Sequence, residues 1–357
     1  MLAQYNALAS LTAQVKNAAA QGTPLCIRGG GSKDFYGQTL QGNVLEMAAF
    51  NGVISYEPSE LVVTVRAGTS LAELELLLAA QGQCLPFEPP HFGAGATVGG
   101  MVASGLSGPA RSSVGAVRDY MLGVVLLNGK GEHLTFGGQV MKNVAGYDVS
   151  RLMAGSLGTL AVLLEVSLKV LPIAPAECTL VFDIDEATAL RQLNRWGGLP
   201  LPINAACWQS GRLSVRLRGA KAAVASAKLS MGGEADDSAP AFWAALREQA
   251  LPFFQLKNDE SLWRVSLPDT AQALNFGATL VEWGGAQRWI KRPASEAPAI
   301  RRAAAEASGH ATLFRSAHKT VSVFTPLKSP LDRIHRDLKK QFDPAGVFNP
   351  GRMSADF

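Results

Sequence analysis

Three glycine-rich stretches hold the residues of this 357-residue chain that are best suited to chemistry. The first is Arg28-Gly29-Gly30-Gly31-Ser32-Lys33. Three successive glycines present backbone N–H groups with no β-carbon in the way, and such a loop can form a nest that receives a pyrophosphate. Ser32 adds a hydroxyl donor, and Arg28 and Lys33 add positive charge. A tight strand-to-loop turn at the surface is the alternative reading of the same triplet. The second stretch, residues 96–105, follows the rigid Phe87-Glu88-Pro89-Pro90. Here Thr97 and Ser104 offer hydroxyls, while Gly99 and Gly100 allow a ligand to come close. The third is Lys142-Asn143-Val144-Ala145-Gly146-Tyr147-Asp148, followed by Gly155-Ser156-Leu157-Gly158-Thr159. Three separated loops of small residues imply a long, multi-part ligand laid across them.

Two common nucleotide motifs fail. A Walker loop needs Gly-Lys followed by Ser or Thr, but Gly129-Lys130 is followed by Gly131. A dinucleotide fingerprint needs glycine at its first, third and sixth positions. Gly29 and Gly31 are followed by Asp34 there, and Gly93 and Gly95 by Val98. The net charge of +4, with no long basic run, gives nucleic-acid binding little support. Cys26, Cys84, Cys178 and Cys207 are far apart and form no C-x-x-C, so neither a zinc site nor an iron–sulfur cluster is expected. They read as scattered thiols of a reducing compartment. No basic stretch followed by an apolar core opens the chain, so no signal peptide is read. The most apolar stretch, 158–172, carries Glu165 and Lys169 and is too short and charged to span a bilayer. Cytoplasmic residence is the resulting expectation.

The elements that must position these loops alternate along the chain. Leu8, Leu11, Val15 and Ala18 have helical spacing, with Gly22 as a stop. Strands are predicted at 25–28, 44–47, 52–56 and 61–66. Thr69 or Ser70 caps a helix containing Leu71, Leu74, Leu77 and Leu78. A long glycine-rich loop region spans 86–115. Strands at 121–127 and 133–136 flank the turn signal Asn128-Gly129, and 160–170 is a long apolar strand. Pro172 and Pro175 mark a boundary. Beyond it, alanine-rich helices at 220–229, 241–250 and 297–307 alternate with short strands such as 213–217. The last stretch is an amphipathic helix at 332–340 and a Pro/Gly-punctuated tail.

At this level of detail the chain resembles the flavin domains of the vanillyl-alcohol oxidase and p-cresol methylhydroxylase type. The resemblance rests on Arg28 to Lys33, Pro58-Ser59-Glu60-Leu61, Ala67-Gly68-Thr69-Ser70-Leu71, residues 96–100 and residues 155–159, in that order. It covers about residues 1–173. The tail Asp343-Pro344-Ala345-Gly346-Val347-Phe348-Asn349-Pro350-Gly351 resembles the closing segment of glycolate oxidase and D-lactate dehydrogenase chains. Phe87 to Pro90, Gly105-Leu106-Ser107-Gly108-Pro109 and Lys142 to Asp148 are similar to the small flavin-domain subunits of bacterial glycolate oxidases. The resemblance implies an α+β fold in three parts. Residues 1–173 form a two-part FAD-binding domain, 174–315 a shortened α/β cap-like domain, and 316–357 a segment returning to the FAD domain. It implies FAD as cofactor, with Arg28, Gly29, Gly30, Gly31, Ser32 and Lys33 at the first pyrophosphate loop. Thr97, Gly99, Gly100, Ala103 and Ser104 match the second loop. Gly155, Gly158, Thr159 and Val162 match the segment supporting adenine and isoalloxazine, and Asn349 a tail residue close to the flavin.

The chain also departs from these relatives. Some attach flavin through a histidine in the first loop. Ser32 and Lys33 stand here, and no cysteine lies between Cys84 and Cys178, so FAD is expected to be non-covalent. His91 is either a cofactor neighbour or an ordinary loop histidine. Catalytic relatives carry a His-x-Gly-Asp-Gly-Asn-x-His motif, where this chain reads Gly309-His310-Ala311-Thr312-Leu313-Phe314-Arg315. A divalent metal site is therefore not expected. Oxidising a hydroxy acid needs a cation for the carboxylate and a base for the hydroxyl proton. Arg288 or Arg315 could be that cation and His310 or His318 that base. Each reads more readily as a salt bridge or structural hydrogen bond, and Trp283 and Trp289 as packing residues. Three functions are open. The chain is an FAD-bearing subunit of a glycolate oxidase complex, with a larger flavin subunit and an iron–sulfur subunit as partners and membrane association through them. Or it is a self-sufficient 2-hydroxy-acid oxidoreductase, or a scaffold whose FAD is structural or absent.

Overall fold

A computed structural model describes residues 2–138, 148–257 and 259–355. Lys142 to Tyr147, singled out above, lie outside the described residues. The chain forms two compact units. The first comprises Met1–Leu106, Ala116–Pro172 and Pro326–Phe357, and the second Ser107–Gly115 and Ile173–Thr325. Two segments thus group differently from a division at 173 and 315. Residues 107–115 join the second unit, where Ser113 Oγ donates to the Asn204 carbonyl at 2.8 Å. Residues 316–325 stay with the second unit because they run beside its edge strand. Leu313 N–H donates to Val323 O at 2.8 Å, and Thr325 Oγ1 donates to Ala311 O at 2.8 Å.

In the first unit the helix Leu2–Gln21 stops at Gly22, whose φ of +63° a β-carbon would oppose. It buries Leu11, Val15 and Ala18 at helical spacing, against Leu25, Leu45, Met47, Val162, Val347 and Phe348. Each large apolar side chain withdrawn from water there contributes about 1.5–3 kcal/mol. Strand Leu25–Arg28 pairs in parallel with Asn43–Glu46. A five-stranded antiparallel sheet has the order Val53–Glu57, Val62–Arg66, Val162–Lys169, Met121–Leu127, His133–Gly137. Val162–Lys169 is its centre, which explains its nearly continuous apolar run.

Glycines predict a loop over 96–105, yet the structure has the helix Val98–Ser104. Gly99 and Gly100 each disfavour helix by about 1 kcal/mol, so tertiary packing decides. Val98, Met101 and Val102 are fully buried. Gly99 lies so close to Ala67 that a β-carbon would sit 2.8 Å from the alanine Cβ.

The second unit is built on one eight-stranded sheet whose described pairings are all antiparallel. The order is Glu234–Ala235, Ala176–Asp183, Arg212–Gly219, Ile203–Gln209, Thr279–Glu282, Gln287–Arg292, Ser261–Ser266, His310–Arg315. Leu180, Leu213, Val215 and Leu217 pack against the helices Glu186–Gly197 and Lys221–Met231. Trp263, Val265, Ile290 and Leu313 pack against Ala297–Glu306. Alternation of helix and strand does not give a parallel sheet here, because the helices gather over the apolar side chains of antiparallel strands. Among the described residues no helix is long and apolar enough to cross a membrane.

Candidate functional site

Two adjoining clefts in the first unit share Ile27, Gly29, Thr97, Gly100, Ala103 and Leu157. One runs along Arg28 to Asp34 to Ser104, Asn349 and Arg352. The other is more apolar and reaches Met47, Ala67, Gly99, Gly158, Ala161 and Leu163. Thirteen of the expected site residues line them: Arg28, Gly29, Gly30, Gly31, Ser32, Lys33, Thr97, Gly99, Gly100, Ala103, Ser104, Gly158 and Asn349. Gly155, Thr159 and Val162 line neither. Val162 is a fully buried core side chain. Thr159 Oγ1 is turned to the Ser156 carbonyl at 2.8 Å.

The hydrogen bonds divide the three loops into two kinds. Val98 N–H donates to Thr69 O at 2.9 Å and Gly99 N–H to Ala67 O at 2.7 Å. Gly100 N–H donates to Thr97 Oγ1 at 3.2 Å. Gly155 and Leu157 N–H donate to Val102 and Ala103 carbonyls at 2.9 and 2.8 Å. Ser104 Oγ donates back to Met101 O at 3.0 Å. The second stretch and the 155–157 part of the third are therefore stitched to the fold and to each other. The first loop is different: among the described residues, nothing accepts a hydrogen bond from the amides of Gly29, Gly30, Gly31 or Ser32. Its glycines are required by neighbouring protein as well. A β-carbon on Gly30 would fall 1.6 Å from Gly95 O, and one on Gly29 2.3 Å from Thr97 Oγ1.

Charge surrounds this loop. Arg28 pairs with Asp34 at 2.8 Å, and that carboxylate holds the guanidinium more firmly protonated than usual. Arg28 lies over Gly31, where a β-carbon would meet its Nη2 at 2.4 Å. Lys33 Nζ donates to His91 O at 3.1 Å. His91 itself faces Glu75, 3.0 Å away, and does not line either cleft. Arg352 donates to the carbonyls of Gln38, Lys33 and Asp34. Burial pushes its pKa down to about 10, with Asp34 opposing. It fixes the turn after the first loop. Ser156, 6% exposed, keeps an Oγ with no partner among the described residues, beside the cleft-lining Leu157.

Behind the clefts lies a cluster that sequence reasoning missed. Lys339, on the helix Leu331–Phe342, is 6% exposed and donates to Thr159 O, Asp343 Oδ2 and Phe348 O at 2.8, 2.7 and 2.7 Å. Burial lowers its pKa, and Asp343 opposes that shift. The Lys339/Asp343 spacing of four was the available signal.

In the second unit the catalytic candidates are not gathered into a site. Arg288 is fully buried and spends its guanidinium on the carbonyls of Gly285, Ala271 and Gln272. It is a structural brace for the 271–272 turn and not a carboxylate clamp. Arg315 donates to Gln249 Oε1 at 3.3 Å. His310 and His318 are exposed. Trp283 donates to Gly108 O, with Arg111 over its ring at 4.5 Å. Trp289 packs on Phe254 and Phe314. Trp289 Nε1 and Gln287 Nε2 both donate to buried Glu282 Oε2, at 2.6 and 3.1 Å. Burial raises the Glu282 pKa to about 7 against these two bonds. Among the described residues no three His, Cys, Asp or Glu side chains are grouped to hold a metal ion.

Comparisons with known proteins bear on the family and the fold. Residues 3–137 match the family model described as an FAD binding domain. The whole chain is 47% identical to glycolate oxidase subunit GlcE of Escherichia coli (strain K12), over 357 residues and 100% of both chains. Other relatives match a part only. A D-lactate dehydrogenase of Anaerostipes hadrus is 31% identical over 40% of this chain and 30% of that one. Glycolate oxidase subunit GlcD of Bacillus subtilis (strain 168) is 29% identical over 47% and 36%. Among solved structures, an alkyldihydroxyacetonephosphate synthase superposes with a TM-score of 0.65 over 95% of this chain and 75% of that one, at 15% identity. That likeness establishes the fold, which is the vanillyl-alcohol oxidase type.

Proposed function

Because the chain belongs to the glycolate oxidase subunit GlcE family, we propose that it is the FAD-bearing subunit of a multi-subunit enzyme oxidising glycolate to glyoxylate. The observation that carries this reading is the row of four uncommitted amides, Gly29 to Ser32, on a cleft in an FAD-binding-type domain. The donor set fits the cofactor. Four N–H groups and the Arg28 guanidinium suit a diphosphate, and the apolar cleft at Met47, Ala67, Ala161 and Leu163 suits a ring system. The unpartnered Ser156 hydroxyl also fits a polar ligand nearby.

Glycolate oxidation removes a hydride from the carbinol carbon and a proton from the hydroxyl, and FAD, when bound, supplies the two-electron acceptor. The part of this chain is to bind and orient. The first loop receives the phosphates, Asp34 holds Arg28 across that loop, and Arg352 keeps the following turn in place. Neither loop offers a histidine or cysteine for a covalent link, so binding is non-covalent. In the second unit Arg288 is committed to three carbonyls and not to a carboxylate. A larger flavin subunit therefore carries the main substrate site, and an iron–sulfur subunit takes the electrons onward.

The test is the visible spectrum of the purified chain with FAD, before and after anaerobic glycolate, alone and with partner subunits. Flavin bands that persist until the partners are added are expected. Failure to take up FAD would overturn the proposal. Bleaching of the single chain would replace it with a self-sufficient oxidoreductase. An Arg28→Gln variant should weaken FAD binding about tenfold, the loss of one charge-assisted contact.

A further inference from the structure

We infer that Lys339 and Asp343 are positioning residues for the cofactor cleft, acting through Asn349. The inference rests on the reading of that cleft as the FAD site. Neither side chain lines the cleft. A buried ammonium–carboxylate pair is no more stabilising than well-packed apolar groups of the same volume, so stability alone does not account for it. Its geometry does. One ammonium gathers the Thr159 carbonyl, the Phe348 carbonyl and the Asp343 carboxylate within 2.8 Å. The same carboxylate accepts N–H bonds from Val347 at 3.2 Å and Phe348 at 2.7 Å. Residues 347–348 are thereby held through two donors and an acceptor.

The clasp acts one residue away from each wall of the cleft. Thr159 follows Gly158, and Phe348 precedes Asn349; both Gly158 and Asn349 are lining residues. The Asn349 side chain spans the gap. Its Oδ1 accepts the Ile27 N–H at 2.8 Å and its Nδ2 donates to Leu157 O at 2.6 Å. Its backbone φ of +40° is in the left-handed region that asparagine tolerates. Little slack is left, since a β-carbon on Gly158 would meet Asn349 Nδ2 at 2.7 Å.

The strand converts this fixed point into cofactor geometry. Along one edge of Leu25–Arg28, Leu25 N–H donates to Val347 O and Ile27 N–H to Asn349 Oδ1. Strand amides alternate in direction, so Gly29 N–H is next in this row, and it is the first of the uncommitted donors. Fixing the tail fixes where that amide points.

The experiment compares Lys339→Met, Lys339→Arg and Asn349→Gly in the full chain. It reads the FAD Kd by flavin fluorescence, the visible circular dichroism of bound FAD, and the melting temperature of the FAD-free protein. Binding is measured well below every melting temperature. Lys339→Met should raise Kd about tenfold or more and change the visible circular dichroism, and Lys339→Arg should recover part of both. Asn349→Gly leaves the ion pair intact and suits the positive φ. It should reproduce the Kd and dichroism changes, with a loss of melting temperature, from stranding Ile27 N–H and Leu157 O, that is smaller than in Lys339→Met. Wild-type Kd and dichroism in Lys339→Met, at any melting temperature, would overturn the inference. If that variant does not fold, the same outcome in Asn349→Gly overturns it. If the unsubstituted chain takes up no FAD, the cofactor reading falls and the inference with it. FAD binding that no variant alters removes the inference alone.

Discussion

The first loop and the interior of the second unit use the same kinds of polar group to opposite ends. In the second unit Arg288 is satisfied by three carbonyls, and Glu282 by an indole and an amide. Their hydrogen-bonding capacity is spent on the fold. At Gly29 to Ser32 four donors have no acceptor among the described residues. Buried polar groups without partners are costly, so a row of open donors is affordable only beside solvent or a ligand. The lesson is that residue type marks polar capacity, and its commitment marks role. Arg288 and Arg28 are both arginines whose type suits an anion, yet only Arg28 lines a cleft whose neighbouring amides are open.

Substitutions can break or sharpen that contrast. The largest effect is expected from Arg288→Leu. It strands three carbonyls and should destabilise the protein by on the order of 3 kcal/mol or more, read by denaturant unfolding. FAD affinity should stay near wild type. A large loss of FAD affinity with little loss of stability would return Arg288 to the site.

Glu282 gives a comparable effect through pH. Its folded pKa, about 7, lies above its ordinary value of 4.5. Its protonation therefore contributes stability that is complete below about pH 4.5 and is lost as pH rises through 7. The difference amounts to on the order of 3 kcal/mol. Melting curves from pH 4.5 to 8 should show this decline, and Glu282→Gln should flatten it. An unchanged slope in the variant would mean that the buried acid does not titrate there.

Gly30→Ala tests the first loop. Its methyl group would collide with Gly95 O, at an expected cost of about 1–3 kcal/mol. FAD affinity should fall more than stability, because the collision displaces the donor row. An affinity equal to wild type would separate the donor row from cofactor binding.

The smallest effect is expected at Ser104→Ala. Among the described residues the hydroxyl bonds only its own helix at Met101, so FAD affinity should stay within about twofold and stability within about 0.5 kcal/mol. A tenfold rise in Kd would show that Ser104 leaves its helix to meet the ligand.

Much of this was legible from residues in order. Leu11, Val15 and Ala18 announce the first helix, and Gly22 its end. Leu25 to Arg28 leading into three glycines announces a strand and a loop of open amides. Ser70 caps the helix that its leucines predict. These features are local: they depend on backbone freedom and on periods of two or 3.6 residues. The glycines of 96–105 misled for the same reason. Alone they favour a loop, and their helix exists because Val98, Met101 and Val102 are buried where it packs against the strands Val62–Arg66 and Val162–Lys169.

The sequence by itself determined which segments could pack and which carried the glycines and hydroxyls from which a phosphate site was expected. Only the tertiary structure decided which amides stay open. Ala67, Thr69, Val102 and Ala103 carbonyls close the second stretch and the 155–157 part of the third, and none of them is marked in the glycine pattern it satisfies. Likewise, Lys339 reads in sequence as a helix-surface lysine, and becomes the clasp of the tail because Thr159, 180 residues away, brings a carbonyl to it. A donor is identified by residue type, but its acceptor is a matter of position in space, and long-range packing alone sets that position.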